Sequence, residues 1–407
     1  MILVRVMERI IMHIDVNNAF LSWTAIDLLN KGYKYDIRDS FAVVGGDESK
    51  RRGIVLAKSM KAKKVGIRTA ETLYSARKKC PALRIYEPNY KWYVEMSNKM
   101  FNLINKYTPD IEIVSIDECF IDYGKITKLY GDPVAFAYKL KDEIKSKLGF
   151  TVNIGIANNK FCAKMASDFE KPNKVHTLFA SEVTTKLWPL AVDNMYGVGK
   201  SSSSKLHALN INTAYDLAHS EVYALYKYFK NQSQRLIDLA NGIDEDPVVV
   251  TKDDPKGISN TTTLEKDYTN LGEIYSVLQV IANNVATSLR KQKKYAYVVA
   301  IIIKDKFFKS YSHQRKLKNP TNLTSDIFEI AKDLFNEVWQ KDPIRLIGIR
   351  LDNLTDKNNY QVSIFEDFEE SKKEEDLDMT IDQINHKYGK TIINKASIKD
   401  INIKKKY

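Results

Sequence analysis

The chain has 407 residues, of which 44% are hydrophobic, and it carries a formal net charge of +12. This length allows two to four domains with buried cores, and the charge favours a polyanionic partner, with nucleic acid ahead of a membrane surface. The longest apolar run, YAYVVAIII at 295–303, is too short to span a bilayer. Three widely spaced cysteines without CxxC spacing argue against disulfides and zinc and favour a reducing cytoplasm.

The first 250 residues alternate strand-like and helix-like patterns, which predicts a mixed α/β domain with about two βα units. Helices are predicted for 20–32, 58–67, 89–109 and 133–149, and glycine or proline ends three of them. Strands are predicted for IIMHID (10–15), FAVVGG (41–46), GIVLA (53–57), IEIVSIDECFID (111–122) and FTVNIGIA (150–157).

The pattern changes after Lys171-Pro172-Asn173. Residues 180–242 look helical, and a linker rich in Asp and Pro follows at 244–257. The last 50 residues are highly charged, which is typical of partial disorder, with one helical stretch near 374–388. Between linker and tail, 258–355 predicts an α+β domain with helices near 271–290 and 324–340 and strands near 295–304 and 344–352.

Three carboxylates stand where charged side chains are rare. Asp15 ends the apolar strand IIMHID, and Asp117 and Glu118 are adjacent inside an apolar run. Neighbours on a straight strand point to opposite faces, so this pair converges only if the strand bends near Ser115–Glu118. Carboxylates within about 4 Å would repel by roughly 4 kcal/mol per pair at an effective dielectric near 20. Mg²⁺ would offset that repulsion and serve phosphoryl transfer; the alternative is a strand-end aspartate and a solvated turn pair.

Two basic stretches are candidates for holding a phosphate chain. KSMKAKKVGIR (58–68) places Ser59 and Lys63 one helical turn apart. IANNKFCAKMASDFEKPNK (156–174) follows a strand directly and places Lys160 and Lys164 on one helical face. Either stretch is also compatible with an ordinary solvated surface.

Five motifs in this order resemble the Y-family (DinB/UmuC-like) translesion DNA polymerases over roughly residues 10–355. They are DVNNAFLSW (15–23), AKSMKAKKVGI (57–67), SIDECFID (115–122), IGIANNKFCAKMASDFEKPN (154–173) and YGVGKSSSSKLHALNI (196–211).

This resemblance implies a multidomain α+β right hand, with a ferredoxin-like palm, small fingers, a helical thumb with a helix-hairpin-helix, and an α+β little finger. The implied boundaries are 1–23 for an N-terminal extension and first palm segment, 24–77 for the fingers, 78–170 for the palm, 171–245 for the thumb, 246–257 for a linker, 258–355 for the little finger and 356–407 for a charged tail.

The resemblance also implies a catalytic centre. Asp15, Asp117 and Glu118 match the catalytic carboxylates and, with the Val16 backbone carbonyl, would hold two Mg²⁺ ions, for which Mn²⁺ can substitute. Phe20 falls at the steric gate, where a flat ring would collide with a ribonucleotide 2′-hydroxyl. The alternative for Phe20 is an ordinary core residue of helix 20–32.

The implied triphosphate site consists of Ser59, Lys63 and Lys160. Lys63 stands where many members have arginine and Met60 where many have tyrosine, so bidentate phosphate contacts are lost. Ala19 replaces an aromatic residue that often precedes the gate, which predicts a roomier pocket near the sugar.

DNA contacts are predicted first in GVGKSSSSKLHALNI (197–211), which looks like a helix-hairpin-helix. Gly197 and Gly199 permit a tight turn, and backbone N–H groups near Lys200 would bind a DNA phosphate. The alternative is a helix–loop–helix without a ligand.

A second DNA contact is predicted in 290–318, which holds ten cations and one acid. Such a segment should track duplex phosphates with a strong salt dependence, and its sparse aromatics argue against stacking on single strands. A solvated face is the alternative. The cations singled out for DNA binding are Lys291, Lys293, Lys294 and Arg315.

In the tail, QVSIF (361–365) resembles the peptide by which bacterial replication proteins dock on the β sliding clamp, with Gln361, Ile364 and Phe365 as contacts. We therefore expect a monomeric cytoplasmic enzyme that adds dNTPs to primer–template DNA, binds the clamp, associates with the nucleoid when on DNA, and has no membrane partner. A catalytically weak damage-response factor that retains the fold, or another palm-type nucleotidyltransferase such as a cyclase, is the alternative. The intact carboxylate set argues against the first, and the thumb-like hairpin with a basic C-terminal domain against the second.

Overall fold

The structure is a computed structural model of the chain that describes residues 9–49, 51, 53–251, 254–356, 368–388 and 393. It divides into unit 1 (Met1–Gly46 and Ile54–Lys252) and unit 2 (Asp47–Gly53 and Asp253–Tyr407). The main division, after Lys252, falls inside the predicted linker. Within the described ranges, no helix combines the length and apolar character needed to cross a membrane.

Unit 1 contains eight strands and eleven α-helices among its described residues. In chain order they are β1 (Ile11–Val16), α1 (Ala19–Asn30), β2 (Ala42–Gly45), β3 (Val55–Lys58), α2 (Met60–Lys64), α3 (Leu73–Lys79), β4 (Arg84–Tyr86), α4 (Tyr90–Ile104), β5 (Ile111–Ile113), β6 (Glu118–Asp122), α5 (Thr127–Tyr130), α6 (Pro133–Leu148), β7 (Val152–Ala157), α7 (Lys160–Asp168), β8 (Val175–Leu178), α8 (Lys200–His207), α9 (Ala214–Ala218), α10 (Val222–Phe229) and α11 (Ser233–Ala240).

A five-stranded sheet with the order β5-β6-β1-β7-β8 forms the centre of unit 1. Strand β1 is antiparallel to both of its neighbours, and β7 is parallel to β8. Because β1 and β7 lie inside the sheet, they are almost wholly buried, as continuous apolar runs require. Pairing with β6 and β7 therefore fixes the end of β1, including Asp15, on both sides.

Helix α6 illustrates how the predicted ends arise. The Asp132 side chain accepts a hydrogen bond from Ala135 N at 2.8 Å, and Pro133 occupies the first turn. At the other end Gly149 adopts the left-handed conformation with φ of 78°. The predicted helix 133–149 is thereby confirmed.

Helix α7 lies unusually close to β7. Its N-cap Asn159 accepts a hydrogen bond from Cys162 N at 2.8 Å. A Cβ atom added to Gly155 of β7 would collide with backbone atoms of Ala163 and Ser167. Glycine thus permits the close approach that brings the side chains of α7 to the end of β1.

A second, small sheet with the order β3-β2-β4 packs around Val43, Val55 and Leu73. The helix predicted at 58–67 is shorter than expected: it begins at Met60 and ends at Lys64, before Gly66 with φ of 83°. The sequence did not predict α3, β4 or β8. Helices α8–α11 confirm the helical character of 180–242.

Unit 2 is an antiparallel sheet with the order β11-β10-β12-β9 and helices packed on one face. Strands β9 and β11 were not predicted. The described elements are β9 (Gly257–Tyr268), α12 (Leu271–Lys291), β10 (Tyr295–Asp305), β11 (Ser310–Thr321), α13 (Thr324–Val338), β12 (Ile344–Thr355) and α14 (Phe368–Lys387).

Helix α14, which confirms the helix predicted near 374–388, is held through acidic side chains. Arg290 of α12 is 9% exposed, and its guanidinium lies 2.9 Å from Asp378 and 2.7 Å from Asp382. The Asp378 carboxylate also accepts a hydrogen bond from Thr324 N at 3.1 Å, at the start of α13. One buried arginine thus joins α12, α13 and α14.

Candidate active site

The end of β1 brings the three predicted carboxylates together through backbone pairing. Asp15 stands opposite Glu118 in the β1–β6 register. Val16 N donates a hydrogen bond of 3.0 Å to the carbonyl of Asp117. Asp15, Val16 and Asp117 line the same cleft, so these residues lie at one edge of the central sheet.

The run 111–122 bends as predicted. Strands β5 and β6 pair as a hairpin, and Val114 N and Ser115 N both donate to the Glu118 carbonyl, at 3.1 and 3.3 Å. Ser115 Oγ donates a hydrogen bond of 2.6 Å to Asp117 Oδ1 and fixes that carboxylate. The turn therefore lets adjacent acidic residues face one centre.

Two lysines neutralise part of this acidic centre. Lys164 Nζ lies 2.8 Å from Glu118 Oε2 and 3.4 Å from Asp15 Oδ2. Lys171 Nζ lies 2.7 Å from Asp15 Oδ2. Burial alone would lower the pKa of Lys164, but Asp15 and the hydrogen bond with Glu118 raise it, so this lysine stays charged.

His13 lies under the carboxylates and is fully buried. Ser167 Oγ lies 2.8 Å from both His13 Nδ1 and the Lys164 carbonyl. His13 Nε2 lies 3.3 Å from Glu118 Oε2. The ring thus connects α7 to Glu118, a contact that the sequence did not predict.

The electrostatic environment separates the two adjacent carboxyl groups. The His13 ring, followed by Lys164, lowers the pKa of Glu118 to about 2. Burial, followed by the charges of Asp15 and Glu118, raises the pKa of Asp117. Among the described residues no cation pairs with Asp117, whereas Lys164 pairs with Glu118.

This donor set fits a hard divalent cation. Carboxylate oxygens and a backbone carbonyl are the ligands that Mg²⁺ accepts together with substrate phosphates, and a cation would relieve the repulsion that raises the pKa of Asp117. Among the described residues, no group of three or more His, Cys, Asp or Glu side chains forms a ready metal cage. The residues present therefore suit a metal that arrives with further oxygen ligands.

A cleft of about 340 Å³ opens beside the carboxylates. Phe20 lines it, and the Phe20 ring stacks on Tyr93 with centroids 4.7 Å apart and an angle of 10° between the planes. Tyr93 is fully buried and its hydroxyl lies 2.6 Å from Thr24 Oγ1. Phe20 thus both packs against the core and lines the cleft, and its gate role stays a prediction.

The cationic side chains of the cleft differ in part from the prediction. Lys63 and Lys171 line the cleft, as do Lys58 and Met60. Lys171 was missed because it precedes Pro172, where the sequence suggested only the end of a domain. The sequence feature that could have identified Lys171 is the Lys-Pro pair in the motif EKPN.

Two residues predicted to bind the triphosphate make local contacts, and their phosphate binding stays a prediction. Ser59 is 1% exposed, donates its hydroxyl proton to the Ser40 carbonyl at 2.6 Å and caps α2 by accepting from Ala62 N. Lys160 Nζ lies 2.6 Å from Glu112 and does not line the cleft. Both side chains are committed to local structure.

The predicted phosphate-binding turn has suitable geometry. Gly197 has φ of 86°, and Gly199 is the N-cap of α8, which begins at Lys200. All three residues are exposed. The turn is therefore accessible, and phosphate binding there stays a prediction.

The four predicted DNA-binding cations of unit 2 separate into two groups. Lys291 and Lys293 are exposed. Lys294 is 8% exposed and lies 2.5 Å from both Asp254 and Asp356, and Arg315 pairs with Asp333 and Glu337 of α13. Acidic neighbours of the same unit thus engage Lys294 and Arg315, which argues against their contacting phosphates.

The face of the unit 2 sheet opposite its helices carries other cations. Strand pairing puts Lys304, Lys316 and Arg350 on the same face as Ala300 and Gln314. The alternate residues of β10 and β12 pack against α12 and α13. This open face was not singled out by the sequence. The predicted clamp peptide 361–365, with Gln361, Ile364 and Phe365, lies outside the described residues.

Comparison with known proteins identifies relatives over nearly the whole chain. The impB/mucB/samB family model matches residues 14–168, its C-terminal domain model 255–364, and the IMS family HHH motif 180–211. DNA polymerase IV of Clostridium acetobutylicum is 44% identical over 391 residues, covering 96% of this chain and 98% of the relative. DNA polymerase IV of Alkaliphilus oremlandii is 36% identical, covering 88% of this chain and 92% of the relative.

A solved structure shares the fold. The Y-family DNA polymerase chimera Dbh-Dpo4(243-245)-Dbh superimposes with a TM-score of 0.74 at 24% identity, covering 86% of this chain and 100% of the chimera. The expected polymerase fold is thereby confirmed, as is the helix-hairpin-helix motif.

Proposed function

The chain belongs to the impB/mucB/samB family of Y-family DNA polymerases, and we propose that it is a template-directed polymerase that copies past lesions during DNA repair and replication. The observation that carries this proposal is the placement of Asp15 and Asp117 in one cleft with Phe20 and Lys63, with Glu118 paired to Asp15 in the sheet. Primer extension with purified chain, primer–template DNA and dNTPs tests it. Extension that requires the template supports the proposal, and its absence with either Mg²⁺ or Mn²⁺ would favour a DNA-binding factor that retains the fold.

Asp15, Asp117, Glu118 and the Val16 carbonyl would hold two Mg²⁺ ions, or Mn²⁺ in their place. When bound, such ions stabilise negative charge on the attacking and leaving oxygens of nucleotidyl transfer. The chain orients these ligands through the β5–β6 hairpin and the Ser115–Asp117 hydrogen bond. Primer 3′-hydroxyl attack on the dNTP α-phosphate, with loss of pyrophosphate, follows as the reaction.

Lys63 and Lys171 would bind the triphosphate, since both line the cleft beside the carboxylates. Lysine contacts phosphate as a point charge rather than a bidentate fork. Lys171 also pairs with Asp15. Its ammonium therefore already lies at the edge of the centre where the phosphates would arrive.

Lys171→Ala should raise KM for dNTPs about tenfold, because a charged hydrogen bond worth about 1.4 kcal/mol is lost. Lys160→Ala is the matched control, since Lys160 begins α7 and pairs with Glu112. Steady-state kinetics of single-nucleotide insertion measure both variants. A larger KM increase in Lys160→Ala than in Lys171→Ala would reverse the assignment.

Phe20→Ala should admit ribonucleotides, because removal of the ring leaves space for a 2′-hydroxyl. We expect discrimination against ribonucleotides to fall about a hundredfold, or ~2.7 kcal/mol. Phe20→Tyr keeps the ring and serves as the control. The measurement is the ratio of kcat/KM for dNTP and rNTP insertion, and an unchanged ratio in Phe20→Ala would remove the gate role.

The remaining assignments follow the family architecture. We assign the fingers to 24–77, the palm to 78–170, the thumb to 171–245 and the little finger to 258–355. Duplex phosphates would meet the exposed turn at Gly197–Lys200 and the open face with Lys304 and Lys316, because those surfaces present cations and backbone donors. The protein would act in the bacterial cytoplasm and reach the sliding clamp through 361–365.

A further inference from the structure

An exposed aromatic pair occupies the turn between β10 and β11. Residues 305–309 read DKFFK, and this segment is termed the aromatic tip. The Phe307 and Phe308 side chains are 71% and 63% exposed. Apolar rings of this size are normally withdrawn from water, so a conspicuous exposed pair indicates a contact surface.

The aromatic tip is rigidly held rather than loosely displayed. The buried Asp305 carboxylate accepts hydrogen bonds from Phe307 N at 2.8 Å and Lys309 N at 3.0 Å. Asp305 N donates to the Lys309 carbonyl, and Lys306 N donates to the Pro343 carbonyl, both at 3.0 Å. These bonds fix the backbone on both sides of the two rings and reduce the entropy lost on binding.

The backbone of the tip has an uncommon conformation. Phe308 has φ of 67°, in the left-handed region that bulky residues rarely adopt. The strain is retained although asparagine or glycine would fit there more easily.

Cations surround the rings. The Arg345 guanidinium lies 4.5 Å from the Phe308 ring centroid, and Lys306 Nζ lies 4.9 Å from the Phe307 centroid. Lys309 is exposed at the end of the tip, and Lys304 precedes it on the open face. Asp267 is the acid whose charge interacts with Lys306 and Arg345. Flat apolar rings framed by positive charge complement a ligand with both bases and phosphates.

We propose that the aromatic tip binds single-stranded template DNA, with Phe307 and Phe308 stacking on unpaired bases and Lys306, Lys309 and Arg345 contacting phosphates. Every base offers a π-face, so this contact is tolerant of sequence. The sequence argued against stacking on single strands, because aromatic residues are sparse over 290–318. The turn between β10 and β11 nevertheless exposes two aromatic side chains side by side. The inference rests on the proposed polymerase function for the identity of the strand but not for the binding chemistry.

Phe307→Leu/Phe308→Leu should weaken binding of a single-stranded oligo(dT) about tenfold, because leucine keeps apolar bulk but offers no face for stacking. Fluorescence anisotropy with the full chain measures this Kd. A backbone oligonucleotide of the same length made entirely of abasic sites is the control. Wild type and variant should bind the abasic strand equally.

Phe307→Tyr should bind oligo(dT) within about twofold of wild type, since a stacking ring remains. Both sites are exposed, so the thermal midpoint should be unchanged. Equal oligo(dT) affinity of the double leucine variant and wild type overturns the inference and assigns the tip to a protein partner. An equal loss on the abasic strand also overturns it, since stacking would not be the contact.

Failure of the proposed function is separately visible. Absence of primer extension by wild type would refute the polymerase assignment without changing the oligonucleotide affinities. Conversely, wild type could extend primers normally while the leucine variant binds oligo(dT) as tightly as wild type. That result would refute only the role of the aromatic tip in binding single-stranded DNA.

Discussion

Asp117→Asn should reduce primer extension about a thousandfold or more, corresponding to ~4 kcal/mol of transition-state stabilisation. This is the expected result because Asp117 lines the cleft and has no paired cation in the part of the chain that the structure describes. Asparagine has nearly the same shape and can still accept from Ser115 Oγ, so the turn should survive. What is lost is the negative charge that holds a cation against the phosphate chain.

The matched control is Asp122→Asn, at the other end of the same strand and opposite Ile11. It should retain primer extension within about threefold, since Asp122 does not line the cleft. Single-turnover extension under saturating dNTP, with circular dichroism to verify folding, compares both variants. Normal turnover by Asp117→Asn would sink the assignment of the catalytic centre.

Arg290→Met should lower the free energy of unfolding of unit 2 by about 3–5 kcal/mol. The substitution preserves much of the apolar stem but leaves the buried Asp378 carboxylate without its guanidinium partner. Asp382, at 2.7 Å in the native protein, loses the same partner. Most of the lost stability comes from leaving the carboxylates without a partner, and less comes from losing their attraction to the guanidinium.

Lys291→Met provides the control on the same helix, because Lys291 is exposed and should change stability by less than about 0.5 kcal/mol. Amide hydrogen exchange resolves the two units and reports local unfolding in α13 and α14. Faster exchange in both helices is expected for Arg290→Met alone. Unaltered exchange in α14 would contradict the role of Arg290 in holding it.

The sequence predicted the acidic centre better than its cationic surroundings. The bend at Ser115–Glu118 was predicted from two adjacent carboxylates in an apolar run. On a straight strand, side chains alternate between faces, so these two carboxylates could not face the same centre. The positions of the Lys164 and Lys171 ammonium groups depend on how closely α7 packs on β7. That distance is a property of the tertiary structure, which the sequence pattern does not give. Ser59 was predicted from helical spacing, which does not show that its hydroxyl also caps α2.

Unit 2 shows a second limit. Its buried strand β10 was recognised from an apolar run, whereas the edge strands β9 and β11 carry threonines, serines and lysines and read as irregular. Edge strands need few apolar residues, because only one face meets the core. The aromatic tip was likewise invisible, since its exposure depends on the φ of Phe308 and the bonds to Asp305.

Gly155 bears on how the protein tolerates random mutation. Even a single methyl group there would push α7 away from β7, and Lys164 and Ser167 would move with it. A screen for inactive variants should therefore recover substitutions at a residue with no side chain to touch DNA or nucleotide. The proposed catalytic centre can therefore be disrupted by substitutions at residues that are not its ligands, including a glycine whose missing side chain lets α7 pack against β7.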